Sequence, residues 1–207
     1  MRWIAKITDF SAWLAGVPTL AARRPGAEPA RPTPEKAPAP SGNPYPAQHE
    51  RNLRAFLDAI TLGEGTAGSN AYRTLCGGKL FDSFVDHPAE LGWKGLPLSA
   101  AMCRGAGLDP GCVSTAAGRY QINRPTWRPL KARLGLPDFS PASQDAAAIE
   151  LIREKGALED VRAGRFDAAV AKVRKVWASL PGAGYGQREE SMARVRTAYV
   201  AAGGTLA

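Results

Sequence analysis

Three short glycine-framed segments carry the side chains best suited to chemistry: "GEGT" at 63–66, "AAGRYQI" at 116–122 and "PGAGYGQ" at 181–187. The first holds a single carboxylate, Glu64. The other two each hold a tyrosine and a glutamine, Tyr120 with Gln121 and Tyr185 with Gln187. Glycine lets backbone approach a ligand closely, and loops between elements are where binding groups concentrate. Tyrosine faces stack on pyranose rings, and amides and hydroxyls bond sugar hydroxyl and acetamido groups. A carboxyl group with Tyr, Gln and Thr66 around it therefore suits a sugar polymer.

Glu64 follows an apolar helical pattern, Leu53, Phe56, Leu57 and Ile60, at i, i+3, i+4 and i+7. Gly63 is the expected helix stop. At the C-terminal end of a helix the macrodipole disfavours a carboxylate, and partial burial acts the same way. Both effects keep the proton on Glu64 near neutrality, available to a leaving glycosidic oxygen. An ordinary exposed loop glutamate is the competing reading, and the flanking glycines alone do not overturn it.

The elements that must hold these segments read as follows. Residues 1–22 place Trp3, Ile4, Ile7, Phe10, Leu14 and Val17 on one face of an amphipathic helix, a docking or anchor segment or a degenerate export signal. Residues 23–46 hold eight of the 17 prolines and form a Pro-rich linker, with a reach of roughly 75 Å at ~3.1 Å per residue. The domain expected over 47–207 is α+β and mostly helical, with one small β-hairpin at 72–84 around Gly77-Gly78. A long Gly/Pro-containing loop with one short helix follows over 86–113. Further helices are expected in "RPTWRPLKARLG" (Trp127, Leu130 and Leu134 inward), in "SPASQDAAAIELIREKG" (Ser140 as N-cap, Pro141 first), in "DAAVAKVRKVWASL" (Val170, Val173, Val176 and Trp177 inward) and in "REESMARVRTAYVAAGG". There is no βαβ alternation of the kind nucleotide-binding folds need.

Hydrophobic residues make up 44% of the 207, enough for a real core, and the formal charge is +8. A basic balance suits an anionic polymer, whether nucleic acid, acidic lipid or cell wall, or simply a well-solvated surface. No basic cluster interleaved with aromatics marks a nucleic-acid site, so no nucleic-acid partner is expected. The three cysteines and two histidines lack ligand spacing, so neither a metal site nor any other cofactor is expected. His49 and His87 read as surface or capping residues. Cys103 and Cys112 bracket a chain-reversing "RGAGLDPG" and are expected to pair in an oxidising compartment, leaving Cys76 free and mostly buried.

"FLDAITLGEGT", "GGKLFDSFVDHP", "STAAGRYQI", "LGLPDFSPASQDAAAIELIREKGAL" and "VWASLPGAGYGQ" together resemble the bacteriophage lambda endolysin family of lytic transglycosylases, over about residues 50–205 and in order. The resemblance implies a lysozyme-like helical fold with a hairpin lobe. It also implies cleavage of the β-1,4 bond between N-acetylmuramic acid and N-acetylglucosamine in peptidoglycan glycan strands, in the host periplasm. The glutamate of the family's Glu-Gly-Thr motif falls on Glu64, as catalytic acid and then base, with Thr66 beside it. The family's Gly-Arg-Tyr-Gln segment falls on Gly118–Gln121 and its Gly-Tyr-Gly-Gln segment on Gly184–Gln187. Tyr72, Tyr120, Gln121, Tyr185 and Gln187 thereby become expected substrate-binding residues, Tyr120 having a core role as its alternative. Where the family often has His-Gly-Tyr-Asp, this chain has Asn70-Ala71-Tyr72-Arg73.

A hydrolase ordinarily needs two carboxylates across the bond. The next acids after Glu64 are Asp82, Asp86, Glu90 and Asp109, none in a comparable segment. That favours a transglycosylase, in which the sugar's own 6-hydroxyl attacks C1. A hydrolytic muramidase stays open if Asp82 or Asp86 folds in. The catalytic domain is expected to be monomeric, with a virion or membrane partner for residues 1–22. Release by holin, by export or by carriage in a particle is left open, as is a non-catalytic binding module supported by charge alone.

Overall fold

The computed structural model describes residues 44–207. The readings of residues 1–22 and 23–43 lie outside them. The first helix, α1 (Pro44–Gly63), begins inside the stretch read as linker. Prolines are tolerated there because first-turn N–H groups have no helical acceptor anyway. Leu53, Phe56, Leu57 and Ile60 are all buried on one face. Burying each such side chain is worth about 1.5–3 kcal/mol.

A 3₁₀ turn (Ala71–Arg73) and a tight reversal follow α1, then β1 (Leu96–Pro97), α2 (Ala100–Gly105) and β2 (Val113–Ser114). Next come α3 (Arg124–Leu134), α4 (Pro141–Glu154), α5 (Leu158–Arg162), α6 (Phe166–Val173) and α7 (Met192–Ala201). α1 packs against α5 and α7, and its Phe56 meets Phe166 of α6 edge-on at 5.6 Å. Asn52 binds the chain's end to this face. Its Nδ2 donates to Arg162 O (2.8 Å) and its Oδ1 accepts from Thr205 N (3.0 Å). Ser140 caps α4, accepting from Ser143 N, and Pro141 opens the helix.

The small antiparallel sheet differs from the expected hairpin. It pairs Leu96 with Ser114 and Pro97 with Val113, in the segment read as loop. Residues 72–84 keep only isolated bridges, Thr74 to Leu80 within the segment and Leu75 to Ala117 outside it. Past that point tertiary packing wins over pairing. Phe81 and Phe84 meet edge-on at 5.6 Å, Phe81 lies 5.9 Å from Phe139, and Phe84 O accepts from Phe139 N (2.8 Å). The expected short helix is α2.

Two more readings change. Leu134, at the end of α3, is 37% exposed, whereas Trp127 and Leu130 are buried as expected. His87 is a core residue. Its Nε2 donates to Ile122 O (2.9 Å), its Nδ1 accepts from Ala89 N (3.1 Å), and Phe139 packs against its ring at 4.9 Å. Burial holds its pKa below the usual histidine range.

Candidate active site

Glu64 occupies the C-cap of α1. Thr66 N donates to Thr61 O (3.0 Å) and Gly65 N to Leu62 O (3.4 Å), the paired pattern of a Schellman motif. Gly65, at φ +68°, is the left-handed residue of that motif, so the helix is terminated by Gly65 rather than by Gly63. The macrodipole's negative end therefore faces Glu64, as expected from the sequence.

Glu64 is half-buried as a residue, and its Oε1 accepts a 2.6 Å hydrogen bond from Ser179 Oγ. Burial pushes the Glu64 carboxyl above its ordinary pKa, and hydrogen bonding from the Ser179 hydroxyl and main chain opposes this. Burial is the larger effect. Thr66, 3% exposed, turns inward and donates to Arg119 O at 2.5 Å. Its hydroxyl ties the glutamate turn to the Gly118–Gln121 segment instead of facing solvent.

A groove of about 380 Å³ runs along Leu98, Val113, Ser114, Asn123, Ala178 and Tyr185, with Gln187 at its rim. It ends at Ala178, next to Ser179; Glu64 is not among the residues lining it. Its two walls touch at Gly105, where a Cβ would lie 2.1 Å from Tyr185 O. Tyr185 donates its hydroxyl to Lys175 O (2.9 Å), and Lys175 Nζ lies 5.1 Å from the tyrosine ring centroid. Glu189 accepts from Gly182 N (2.8 Å) and Gly184 N (2.5 Å), which fixes the glycine-rich wall and draws its own carboxyl below the usual range. Gln187 is exposed.

The other expected residues lie elsewhere. Gln121 sits in an adjoining recess that shares Asn123, Lys175 and Val176 with the groove. Its φ is +46°, unusual for a residue with a side chain, and its Nε2 donates to Thr74 O (3.1 Å) and Gly118 O (2.9 Å). Tyr120 is 2% exposed, a core residue. Its hydroxyl and that of Tyr72 both donate to Asp145 Oδ1, at 2.7 and 2.9 Å, in a separate hollow. Burial, reinforced by Asp145, pushes both phenols up. Arg119 stacks 5.2 Å from the Tyr72 ring centroid and pairs with Asp58.

Ser179, Lys175, Asn123 and Glu189 were not singled out by sequence reasoning. Ser179 and Glu189 border the "PGAGYGQ" segment, and that proximity was the available signal. Cys103 and Cys112 are joined by a disulfide, with Cα atoms 5.9 Å apart, and Cys76 is free and half-buried.

A helical domain with a small two-stranded lobe, and a capped glutamate at the end of its first helix, is a lysozyme-like fold. The endolysin family model matches residues 54–206, and the chain belongs to the endolysin family. It is 43% identical over 167 residues to the endolysin of Escherichia phage P2, covering 76% of this chain and 96% of that protein. Against the endolysin of Escherichia phage lambda it is 38% identical over 159 residues, covering 74% and 92%. Among solved structures it resembles bacteriophage lambda lysozyme complexed with a chitohexasaccharide, with TM-score 0.64, 37% identity and coverage of 76% and 97%. A second structure of lysozyme from bacteriophage lambda gives TM-score 0.61 at 36% identity.

Proposed function

We propose that residues 44–207 form a peptidoglycan-degrading lytic transglycosylase that cleaves the MurNAc-β-1,4-GlcNAc bond of the host wall and leaves a 1,6-anhydroMurNAc end. The observation that carries this reading is the setting of Glu64, at a helix C-terminus with its carboxyl bound by Ser179 and its burial favouring the protonated form. Glu64 donates its proton to the bridging oxygen as the bond from C1 to that oxygen breaks. The 2-acetamido group supports the positive charge at C1. The 6-hydroxyl of the same sugar then attacks C1 while Glu64 takes the hydroxyl proton, and the acid returns to its starting state. No water is consumed.

The positions of the other acids support this choice over hydrolysis. Asp86 Oδ1 accepts from Trp127 Nε1 (2.9 Å) and His87 N (2.7 Å), and its Oδ2 pairs with Lys131 (2.6 Å). Glu90 is held by Arg128 and Asp82 is exposed. Glu190 packs against the end of α1, its Cγ 3.6 Å from where a Gly63 Cβ would be. Glu190 is already paired with Arg188 (3.5 Å) and Arg194 (3.2 Å).

The groove between the β lobe and the glycine-rich wall is the proposed glycan path, with Tyr185 and Gln187 as its contacts. The lambda lysozyme complex with a chitohexasaccharide supports glycan binding by this fold. Residues 1–22 are proposed to engage a virion or membrane partner through the linker, outside the catalytic step. Mass spectrometry of digested wall tests the reaction. Anhydromuramic ends are expected, and reducing muramic ends as the main product would establish a hydrolase with Glu190 as the acid to examine.

A further inference from the structure

Gly63 is a glycine that its backbone does not need. It lies in the last turn of α1, outside the left-handed region. A glycine in a helix costs about 1 kcal/mol relative to alanine. What the missing side chain provides is space. A Cβ at position 63 would stand 2.4 Å from Ser179 Oγ and 2.8 Å from Ser179 Cβ, closer than real contacts allow. Ser179 fills that space, and its hydroxyl reaches Glu64 Oε1 at 2.6 Å.

Ser179 is itself held. It is 9% exposed, between Trp177 (3%) and Leu180 (2%). Its carbonyl accepts from Glu190 N at 2.8 Å. Trp177 Nε1 donates to Tyr120 O at 3.0 Å, which joins this strip to the Gly118–Gln121 segment. The serine therefore approaches the carboxyl group from a fixed direction.

We infer that Ser179 is the positioning residue of the catalytic acid: its hydroxyl, seated in the space Gly63 leaves open, fixes Oε1 so that Oε2 carries the transferred proton. A carboxylic acid has one donor and one acceptor side. A donor committed to Oε1 leaves the proton on the opposite oxygen and stops the group from rotating. Gly63 and Ser179 then act as one device, the first by absence and the second by contact. The inference rests on the reading of Glu64 as the acid.

The test uses the full chain with Ser179→Ala, Gly63→Ala, the double variant and Glu64→Gln as reference. The pH profile of wall cleavage and the carboxyl titration of Glu64, followed by NMR on ¹³C-labelled glutamate, are measured for each. Both single variants should lose roughly tenfold in kcat with KM little changed, because misplacing a reacting group is costly even when binding survives. Loss of a hydrogen bond that favours the charged form should raise the Glu64 pKa in Ser179→Ala. The alkaline limb of its profile then moves to higher pH, which a purely structural lesion would not cause. The double variant should be no worse than the singles, as expected for one shared interaction. An unchanged kcat with an unmoved Glu64 titration in Ser179→Ala would overturn the inference, as would losses that multiply in the double. If Glu64→Gln stays active, the acid reading fails by itself. The NMR titration, which needs no substrate, still decides whether Ser179 governs this carboxyl.

Discussion

Trp177 donates its indole N–H to the main-chain carbonyl of Tyr120, 57 residues away, across 3.0 Å. This bond couples the strip that carries Ser179 to the segment whose Arg119 carbonyl holds Thr66. Replacing Trp177 with Phe keeps most of the buried ring and removes the donor. A buried carbonyl left without its partner costs about 1–3 kcal/mol. For a domain of this size that is a fall in Tm of roughly 2–4 °C per kcal/mol. Calorimetry should show such a fall, with a larger proportional loss of wall-clearing rate than the melting shift explains.

The disulfide is the β lobe's own core. Between residues 91 and 115 only Cys103 is buried, among the described residues, while Leu96, Leu108 and Val113 are exposed. A lobe with so little apolar interior depends on its cross-link. Closing so short a loop is worth about 2.5 kcal/mol on the chain-entropy view. Cys112→Ser should therefore raise hydrogen exchange selectively over residues 96–114 and weaken glycan binding in the groove. Uniform protection in the variant would show that the lobe holds without the bond. Non-reducing peptide mapping should find Cys76 unpaired.

Glu64 is expected to cost stability where it is charged. Its folded pKa is raised, so the stabilising effect of the protonated form is fully present below the unfolded value near 4.5 and is lost as pH rises through the higher folded pKa. At neutral pH Glu64→Gln should melt above the wild type. The gap should close below about pH 4.5. A wild type that is more stable than the variant at pH 7 would mean that the carboxylate is well solvated.

A protein beginning at Pro44 should fold and clear purified walls at the rate of the full chain. The family match begins at residue 54 and the buried apolar face of α1 at Leu53, both within this fragment. Failure to fold would assign residues 1–43 a structural role.

The longer helices were legible where their apolar spacing and caps agree with their packing, whereas α5 was not expected and α6 ends at Val173, short of Val176 and Trp177. Ser140, Pro141 and the α1 face are cases in which local and tertiary preferences point the same way. The sheet was not legible. Two-residue strands leave no alternating pattern, and the glycine pair at 77–78 marked a turn whose flanks were taken by aromatic packing around Phe139. At the site, Glu64 could be read from its glycines and the family pattern, although the helix stop falls on Gly65 instead of the expected Gly63. Tyr72, Tyr120, Tyr185 and Gln187 could be picked out by type, but not sorted between groove and core. That sorting depends on Asp145, which draws both phenols inward from 25 and 73 residues away. Ser179 was hidden because a serine beside an apolar run carries no signal until the helix end is placed against it.

The most direct measurement is the rate of muropeptide release from purified Gram-negative walls by Glu64→Gln beside the wild type, with circular dichroism to confirm an intact fold. Loss of the proton donor should lower the rate by on the order of 10²-fold or more. A folded variant that keeps over a tenth of the wild-type rate would show that another group supplies the proton.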